Sequence, residues 1–368
     1  MIPELATLAG VSYGIYKLFG CQPVTTRSTQ SDETTDTATD IDEVVIHPDR
    51  PQGWKEFVGN DAVVEGIKVS CEFSKKEDVP MSNILLLGAA GTGKTTLARI
   101  IAKEMDYRFI DMNGTTMSSM VDVYNTVQRL AGWIEAGHKT ILFLDEIHAL
   151  DRGAAAVRET LKPLIEEHIF KANMIKLENG AWRKTRPWSH QLPPFTVIGA
   201  TDQDIQDKAM RSRFRVYEMV KYTQDEIGQI LQSYCKKTHK VFEDDAVALI
   251  ADRCRLNPRL AIHHVNEIWE YTVVSDLKIA TLDQSYTVLQ DRKKTYQYGL
   301  TDVDIRYMSK LRTAGRPVGE NTLRKTLRLP DTTFQEIEGL LFDLEFVDAT
   351  PRGRKITDAG IGWLALNR

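Results

Sequence analysis

A glycine-rich loop between an apolar run and a helix is the feature that most constrains the fold of this sequence. Residues 84–87 (ILLL) suit a buried strand, and residues 88–95 (GAAGTGKT) match the phosphate-loop pattern G-x-x-x-x-G-K-S/T without a gap. In such a loop the glycines let backbone N–H groups surround phosphate oxygens, the lysine adds positive charge, and the hydroxyl can hold Mg²⁺. A helix is predicted from Leu97 to Met105. The loop therefore predicts an α/β domain that binds a nucleoside triphosphate.

Further apolar runs predict the other strands of this domain. Strands are expected at residues 107–112, 140–144 and 196–200, and helices at residues 61–73 and 121–137. The strand at 140–144 ends in Asp145-Glu146, where one carboxylate can hold Mg²⁺ and the next can polarise the attacking water. The strand at 196–200 ends in Thr201, which either contacts the γ-phosphate or satisfies its own turn.

Three arginines beyond these strands are candidates for phosphate contacts. Arg211 and Arg213 follow the last core strand and could project into the nucleotide of a neighbouring subunit, although a single arginine is more often a solvated surface group. Arg259 follows Pro258 at a predicted helix start and could approach the phosphates from a lid, or could form an ordinary salt bridge.

Residues 168–192 form a predicted insertion into this domain. Alternation from Phe170 to Leu177 and the Asn179-Gly180 pair predict a hairpin. Its apolar and aromatic residues stand beside lysines and arginines, a composition typical of a docking surface for protein or nucleic acid. Packing of the hairpin onto its own ATPase core is the alternative.

The end of the chain has a different pattern. Helices are predicted at residues 302–311, 320–327 and 333–344, followed by a hairpin whose turn is basic (TPRGRKIT, residues 350–357). Three helices followed by a basic hairpin are typical of a winged-helix domain. The clustered bases of this domain, which include Arg316, Arg324, Arg352, Arg354 and Lys355, could hold DNA phosphates. A solvated helix face is the alternative for the helical bases.

Composition bounds the remaining possibilities. The formal charge of −4 over 368 residues gives no global basic excess, and the four cysteines show no metal-binding spacing, as expected for a cytoplasmic protein. Residues 5–20 are mostly apolar but shorter than the roughly 20 residues of a spanning helix, so a docking helix is expected rather than membrane contact through residues 1–20. Residues 25–42 are rich in Thr, Ser and Asp and predict a disordered linker.

Taken in order, these segments resemble the RuvB type of AAA+ ATPase, the motor of Holliday junction branch migration. The matching stretches include ILFLDEIHAL at 141–150, LPPFTVIGAT at 192–201, R-S-R-F at 211–214, PRLA at 258–261 and TPRGRKIT at 350–357. The resemblance implies an α/β AAA+ phosphate-loop ATPase core (46–222), a helical lid (223–298) and a C-terminal winged-helix domain (299–368). Residues 1–45 are foreign to the family.

The resemblance also implies roles for individual residues. Glu146 and Asp145 would be the catalytic acidic pair, Thr201 the first sensor, Arg213 (with Arg211 second) the arginine finger acting on a neighbouring subunit, and Arg259 the second sensor. Thr95 and Asp145 would bind Mg²⁺. ATP would contact Gly88, Ala89, Ala90, Gly91, Thr92, Gly93, Lys94, Thr95, Thr96, Arg50, Pro51, Phe57, Val58 and Pro258.

Partners follow from the same resemblance. A ring, expected to be a homo-hexamer, would act on duplex or four-way-junction DNA, and the hairpin at 168–192 would dock a RuvA-like junction-binding protein. Arg316, Arg324, Arg352, Arg354 and Lys355 would contact DNA. The chain departs from the family after Thr201, where Asp202-Gln203 replaces Thr-Arg. A clamp-loader-like or protein-remodelling ATPase switch is the alternative function.

Overall fold

A computed structural model describes residues 46–116, 119–152, 155–176 and 182–366. The predictions for residues 1–45 and for the hairpin turn at Asn179-Gly180 lie outside these ranges. The described chain forms two compact units, one ending at Val220 and the other beginning at Lys221. Within the described residues no helix is both long and apolar enough to cross a membrane.

A five-stranded parallel sheet, in the order β2-β3-β6-β1-β7, forms the centre of the first unit. Its elements are α1 (Asp61–Glu77), β1 (Ile84–Leu87), α2 (Lys94–Met105), β2 (Arg108–Asn113), α3 (Met120–Glu135), β3 (Thr140–Asp145), α4 (Ala149–Arg152), α5 (Ala155–Glu167), β4 (Ile169–Lys176), β5 (Trp182–Gln191), β6 (Thr196–Thr201), α6 (Lys208–Arg211) and β7 (Arg215–Glu218). The predicted α/β core is confirmed. α1 extends four residues beyond its predicted end at Phe73, and α2 begins at Lys94.

The sheet is buried on both faces, which explains its continuous apolar strands. Alternate residues of β3 belong to two different clusters: Leu142 packs with α3 and α5, whereas Ile141 and Phe143 pack with α1 and α2. The parallel register places the carboxyl ends of β1, β3 and β6 side by side. This edge of the sheet is where polar residues of an α/β protein can converge.

The insertion forms the antiparallel hairpin β4–β5, as predicted. Its base packs on the core, because Phe170 is fully buried beside Tyr124 and Trp188 lies edge-on to Phe170 at 5.8 Å. These two aromatic residues are therefore part of the core cluster rather than of a docking surface. Lys171, Arg183, Lys184 and Arg186 are exposed on the hairpin.

The second unit begins with helices that correspond to the predicted lid. They are α7 (Gln224–Lys237), α8 (Asp244–Asp252), α9 (Pro258–Val274) and α10 (Leu282–Tyr286). The short segment between Lys237 and Asp244 separates α7 from α8. Arg255, in the turn after α8, donates to the Gly299 carbonyl at 2.8 Å and pairs with the fully buried Asp304 at 2.6 Å.

A winged-helix domain completes the unit, as predicted. It consists of α11 (Asp302–Ala314), α12 (Glu320–Leu327), α13 (Asp331–Asp343), β8 (Val347–Thr350), β9 (Gly353–Ile356) and α14 (Asp358–Leu366). Val318 exchanges two backbone hydrogen bonds with Arg354 and so joins the β8–β9 hairpin. A Cβ at Gly353 would lie 2.3 Å from the Val318 carbonyl oxygen, so this position requires glycine.

Candidate nucleotide site

The phosphate loop has the geometry that its sequence predicts. Gly91 and Gly93 have φ angles of +87° and +90°, a region that favours glycine, and α2 starts directly after them at Lys94. The Lys94 side chain is 8% exposed, and its amine donates to the carbonyls of Gly88 at 2.7 Å and Ala89 at 3.0 Å. The lysine amine therefore contacts the same loop that is predicted to bind the phosphates.

The predicted metal ligands lie together. Thr95, in the first turn of α2, places its hydroxyl 3.4 Å from Oδ2 of Asp145 at the end of β3. The other carboxylate oxygen of Asp145 accepts a hydrogen bond from the backbone N–H of Glu146 at 3.0 Å, which fixes the orientation of the carboxylate. One hydroxyl and one carboxylate oxygen are hard ligands that suit Mg²⁺.

Glu146 is held in an unusual backbone conformation beside these ligands. Its φ is +51°, a left-handed value that is uncommon for residues other than glycine, and such values concentrate at functional sites. Partial burial, and then the nearby Asp202 and Asp145 carboxylates, raise the pKa of Glu146 above its ordinary value. A carboxylate with a raised pKa is a better general base.

Gly114 supports this conformation and was missed by the sequence analysis. Its N–H donates to the Asp145 carbonyl at 2.7 Å, and a Cβ at Gly114 would lie 2.5 Å from the Glu146 carbonyl oxygen. Because β2 and β3 pair from Arg108 to Asn113, Gly114 directly follows the strand that ends opposite Asp145. A glycine directly after the second predicted strand is the sequence feature that could have indicated Gly114 as part of the site.

The Thr201 hydroxyl is engaged in its own turn, and the expected contact of this residue with the γ-phosphate remains a prediction. The residue is fully buried, and its hydroxyl donates to the Gln203 carbonyl at 2.6 Å and lies 2.9 Å from Nδ1 of His148. The alternative interpretation, a hydroxyl that satisfies its own turn, describes this structure. Thr201 therefore reaches Glu146 only through His148.

His148 and Asp202 are the second set of residues that the sequence analysis did not assign to the site. Nδ1 of His148 lies 3.3 Å from Glu146 Oε2 and 3.6 Å from Asp202 Oδ1. His148 follows Glu146 by two residues, and Asp202 occupies the first position of the departure noted after Thr201. These two sequence features could have indicated that His148 and Asp202 belong to the site.

The segment of residues 50–60 lies beside the phosphate loop and is held mainly by contacts with the core of the first unit. Phe57 is half-buried against the cluster that contains α1 and α2. Asn60 exchanges two hydrogen bonds with the Val220 backbone, at 2.8 and 3.3 Å, and the neighbouring Met219 carbonyl oxygen lies 2.6 Å from where a Cβ at Gly88 would be. The proposed adenine contacts of Arg50, Pro51, Phe57 and Val58 remain predictions.

The arginines after β6 are engaged within their own unit. Arg211 donates to Asp204 at 2.8 Å, and Arg213 pairs with Glu166 and with the Ala209 carbonyl. Pro258 and Arg259 belong to the second unit, where Asn257 caps the start of α9 through the Arg259 N–H at 3.0 Å. The roles of Arg211, Arg213, Pro258 and Arg259 at the nucleotide therefore remain predictions.

The basic residues of the winged helix differ in their availability. Arg316, Arg352 and Lys355 are exposed, and Arg324 pairs with Asp331. Arg354 is not available in the way we expected, because it donates to Glu338 at 2.7 and 2.9 Å and to Glu320 at 2.7 Å. Its guanidinium joins β9 to α12 and α13, which is a structural role.

Comparison with known proteins places this geometry in a family. Residues 49–220 match the family described as the Holliday junction DNA helicase RuvB P-loop domain, and residues 297–365 match the RuvB C-terminal winged helix domain. The sequence is 30% identical over 318 residues to the Holliday junction branch migration complex subunit RuvB of Ehrlichia ruminantium (strain Gardel), a match that covers 86% of this chain and 92% of that protein. The corresponding protein of Helicobacter pylori (strain P12) is 28% identical over 312 residues, covering 84% and 88%.

A solved structure agrees with these matches. The RuvB Holliday junction branch migration motor of Thermotoga maritima superimposes with a TM-score of 0.70 at 27% sequence identity, covering 87% of this chain and 99% of that one. The fold and the nucleotide-binding class predicted from the sequence are thereby confirmed. The chain belongs to the RuvB family.

Proposed function

We propose that this chain is an ATP-driven motor that moves the branch point of Holliday junctions, acting as a ring of subunits on duplex DNA. The observation that carries the proposal is the 3.4 Å approach of the Thr95 hydroxyl to Asp145 beside Glu146, in a chain whose second unit carries a winged helix. A phosphate loop without a carboxylate pair could bind nucleotide but would lack a group to activate water.

The chemistry of the site follows from its residues. Thr95 and Asp145 would hold Mg²⁺, which when bound neutralises charge on the phosphates. Lys94 would exchange its loop carbonyls for β- and γ-phosphate oxygens, and Glu146 would accept a proton from the attacking water. The raised pKa of Glu146 favours that transfer.

The other parts of the site would come from neighbouring subunits and from the lid. Arg213, or Arg211 in second place, would stabilise charge on the nucleotide of the adjacent subunit. This arrangement requires a ring of subunits, and we expect the ring to be a hexamer. Arg259 would report the nucleotide state to the lid. To serve in this way Arg213 must leave Glu166, so subunit assembly is expected to change that ion pair.

DNA would be held through its phosphates. Exposed Arg316, Arg352 and Lys355, together with Arg324 of the same domain, would offer positive charge to phosphates and not to bases, so no sequence preference is expected. The exposed bases of the β4–β5 hairpin would meet a RuvA-like partner.

ATP turnover with and without a synthetic four-way junction tests the proposal. We expect basal hydrolysis that the junction stimulates, and Glu146→Gln should abolish hydrolysis while rings still assemble with ATP. Hydrolysis that no form of DNA changes would contradict the motor and favour a protein-remodelling switch instead.

A further inference from the structure

Glu146, His148 and Asp202 form a compact group of ligand-type side chains at the carboxyl edge of the sheet. One ligand atom from each residue lies within 4.8 Å of the other two. In the part of the chain that the structure describes, no other three His, Cys, Asp or Glu side chains come this close. Glu146 directly follows β3 and Asp202 directly follows β6, so two neighbouring strands bring the group together.

The spacing of the group suits one metal ion. Nδ1 of His148 lies 3.3 Å from Glu146 Oε2 and 3.6 Å from Asp202 Oδ1. In a tetrahedral site with bonds of about 2.0–2.2 Å, neighbouring ligand atoms are about 3.3–3.6 Å apart. The Asp202 side chain is 38% exposed, so its carboxylate is free to rotate. Such a rotation can adjust the distance between the Asp202 and Glu146 carboxylate oxygens to the value that a tetrahedral site requires.

The charges of the group also favour a cation. Two carboxylates, Glu146 and Asp202, flank the single imidazole of His148. Like charges in a partly desolvated site destabilise each other, and a dication between them removes that repulsion. One imidazole nitrogen and two carboxylate oxygens form a ligand set that Zn²⁺ accepts.

The hydrogen bonds show what metal binding would replace. Because the Thr201 hydroxyl donates to the Gln203 carbonyl, its oxygen accepts from His148, which places the imidazole proton on Nδ1 in the metal-free chain. A metal at Nδ1 requires that proton to move to Nε2 or to leave. The Thr201 bond at 2.9 Å is the interaction that would be lost.

We propose that Glu146, His148 and Asp202 bind a transition-metal dication such as Zn²⁺, and that the bound ion inhibits nucleotide hydrolysis by occupying Glu146. The site is distinct from the proposed Mg²⁺ ligands, because Asp145 directs its Oδ2 to Thr95. The inhibitory part of the proposal rests on the proposed function of Glu146 as general base. The binding part does not.

Calorimetric titration of the chelator-treated full chain with Zn²⁺, without nucleotide, tests the binding. We expect about one Zn²⁺ per chain, retained in Asp145→Asn and weakened by at least about tenfold in Asp202→Asn and His148→Gln, since loss of even an outer partner of a metal weakens affinity by about 10–100-fold. Because Asn has the same shape as Asp and residue 202 is exposed, Asp202→Asn should fold like the parent, so that a loss of binding reports on the metal ligand. His138→Gln, an exposed histidine outside the group, is the matched control and should bind like the parent.

Absence of stoichiometric binding, or binding that neither Asp202→Asn nor His148→Gln weakens, would overturn the site. ATP turnover in excess Mg²⁺ is a separate readout, in which Asp202→Asn should need at least about tenfold more Zn²⁺ for half-inhibition. A chain that hydrolyses ATP but binds no Zn²⁺ refutes only this site. A chain that binds Zn²⁺ at these residues but does not hydrolyse ATP supports the site and refutes the proposed function.

Discussion

The carboxylates at the candidate nucleotide site and the buried carboxylates of the second unit have opposite surroundings. In the first unit Asp145, Glu146 and Asp202 lie near one another, and their repulsion adds to burial in raising the pKa of Glu146. In the second unit Asp304 is paired with Arg255 and Glu338 with Arg354. Like charges gathered at a sheet edge store unfavourable energy that a cation can offset, whereas a buried ion pair that loses one partner leaves an uncompensated charge and destabilises the fold. The contrast separates residues that serve a ligand from residues that serve the architecture.

The largest effect is expected at Lys94, whose amine would be released from the loop carbonyls only by phosphate. Lys94→Ala should reduce ATP turnover by at least about 10²-fold, because it removes the positive charge nearest to the transferring group. Lys103→Ala, at the exposed far end of the same helix, is the control and should keep its turnover. Equal losses in both variants, measured by phosphate release, would show that the loop lysine has no special role.

A loss of stability is expected where the second unit pairs its charges. Arg354→Ala leaves Glu338, 8% exposed, with Tyr307 as its remaining polar neighbour, so the free energy of unfolding should fall by about 3 kcal/mol. Arg352→Ala, two residues away and exposed, should leave stability unchanged but weaken DNA binding and lower its salt slope by about one.

Denaturant unfolding and DNA titration at several salt concentrations separate these two variants. If Arg354→Ala is as stable as the parent, or if Arg352→Ala binds DNA normally, the division between architectural and DNA-facing arginines is wrong.

A pH dependence is expected from His264 in the lid. Burial, and then the charge of Lys293, lower the pKa of this imidazole from 6.5 to about 4. The folded lid therefore excludes a proton that the unfolded chain binds, so the stabilising contribution is complete above pH 6.5 and is lost as the pH falls toward 4. At pH 5 the loss should be about 2 kcal/mol.

Melting of the parent and of His264→Gln between pH 7.5 and pH 4.5 measures this contribution. The difference in melting temperature between the parent and His264→Gln should become smaller as the pH falls. His263→Gln, the exposed neighbour, should follow the parent throughout. A gap that stays constant with pH would show that His264 does not titrate in this range.

A smaller effect is expected at Gly114, which lies against the backbone of Glu146. Gly114→Ala forces a Cβ to within 2.5 Å of the Glu146 carbonyl oxygen, so Glu146 must shift and turnover should fall by about tenfold. Gly132→Ala is the matched control, because nothing lies within 4 Å of the added Cβ and the residue is inside α3. That variant should be unchanged in turnover and about 0.5–1 kcal/mol more stable. Full activity in Gly114→Ala would show that the position of the Glu146 backbone is not critical.

The contrast between the units also explains what the sequence could predict. The phosphate loop and the place of Asp145 at the end of a core strand follow from local spacing, since a parallel sheet puts the carboxyl ends of its strands, β1 and β3 included, at one edge. Local spacing is sufficient for such a site. The approach of the Thr95 hydroxyl to Asp145 agrees with this geometry, and the roles of both residues at Mg²⁺ stay predictions.

Side-chain partners could not be predicted in this way. Nothing local in the sequence indicates that Arg354 of β9 lies beside Glu338 of α13, or that His148 bridges Thr201 and Asp202, because these contacts join distant segments. Arg354 was accordingly expected to face DNA, although the structure pairs it with Glu338. For the aromatic residues of the hairpin, a docking surface and packing onto the core were both open, and the structure packs Phe170 and Trp188 onto the core. Charge and hydrophobicity predict that a residue has a partner, but only the fold decides which one.

Branch-point movement in a synthetic four-way junction, followed by strand separation on gels, tests the central proposal most directly. With ATP and Mg²⁺, and with a RuvA-like junction-binding protein present, the parent chain should convert the junction into separated duplexes. Glu146→Gln should bind the same junction and leave it intact. ATP hydrolysis without any movement of the branch point, under conditions where both proteins occupy the junction, would contradict the motor.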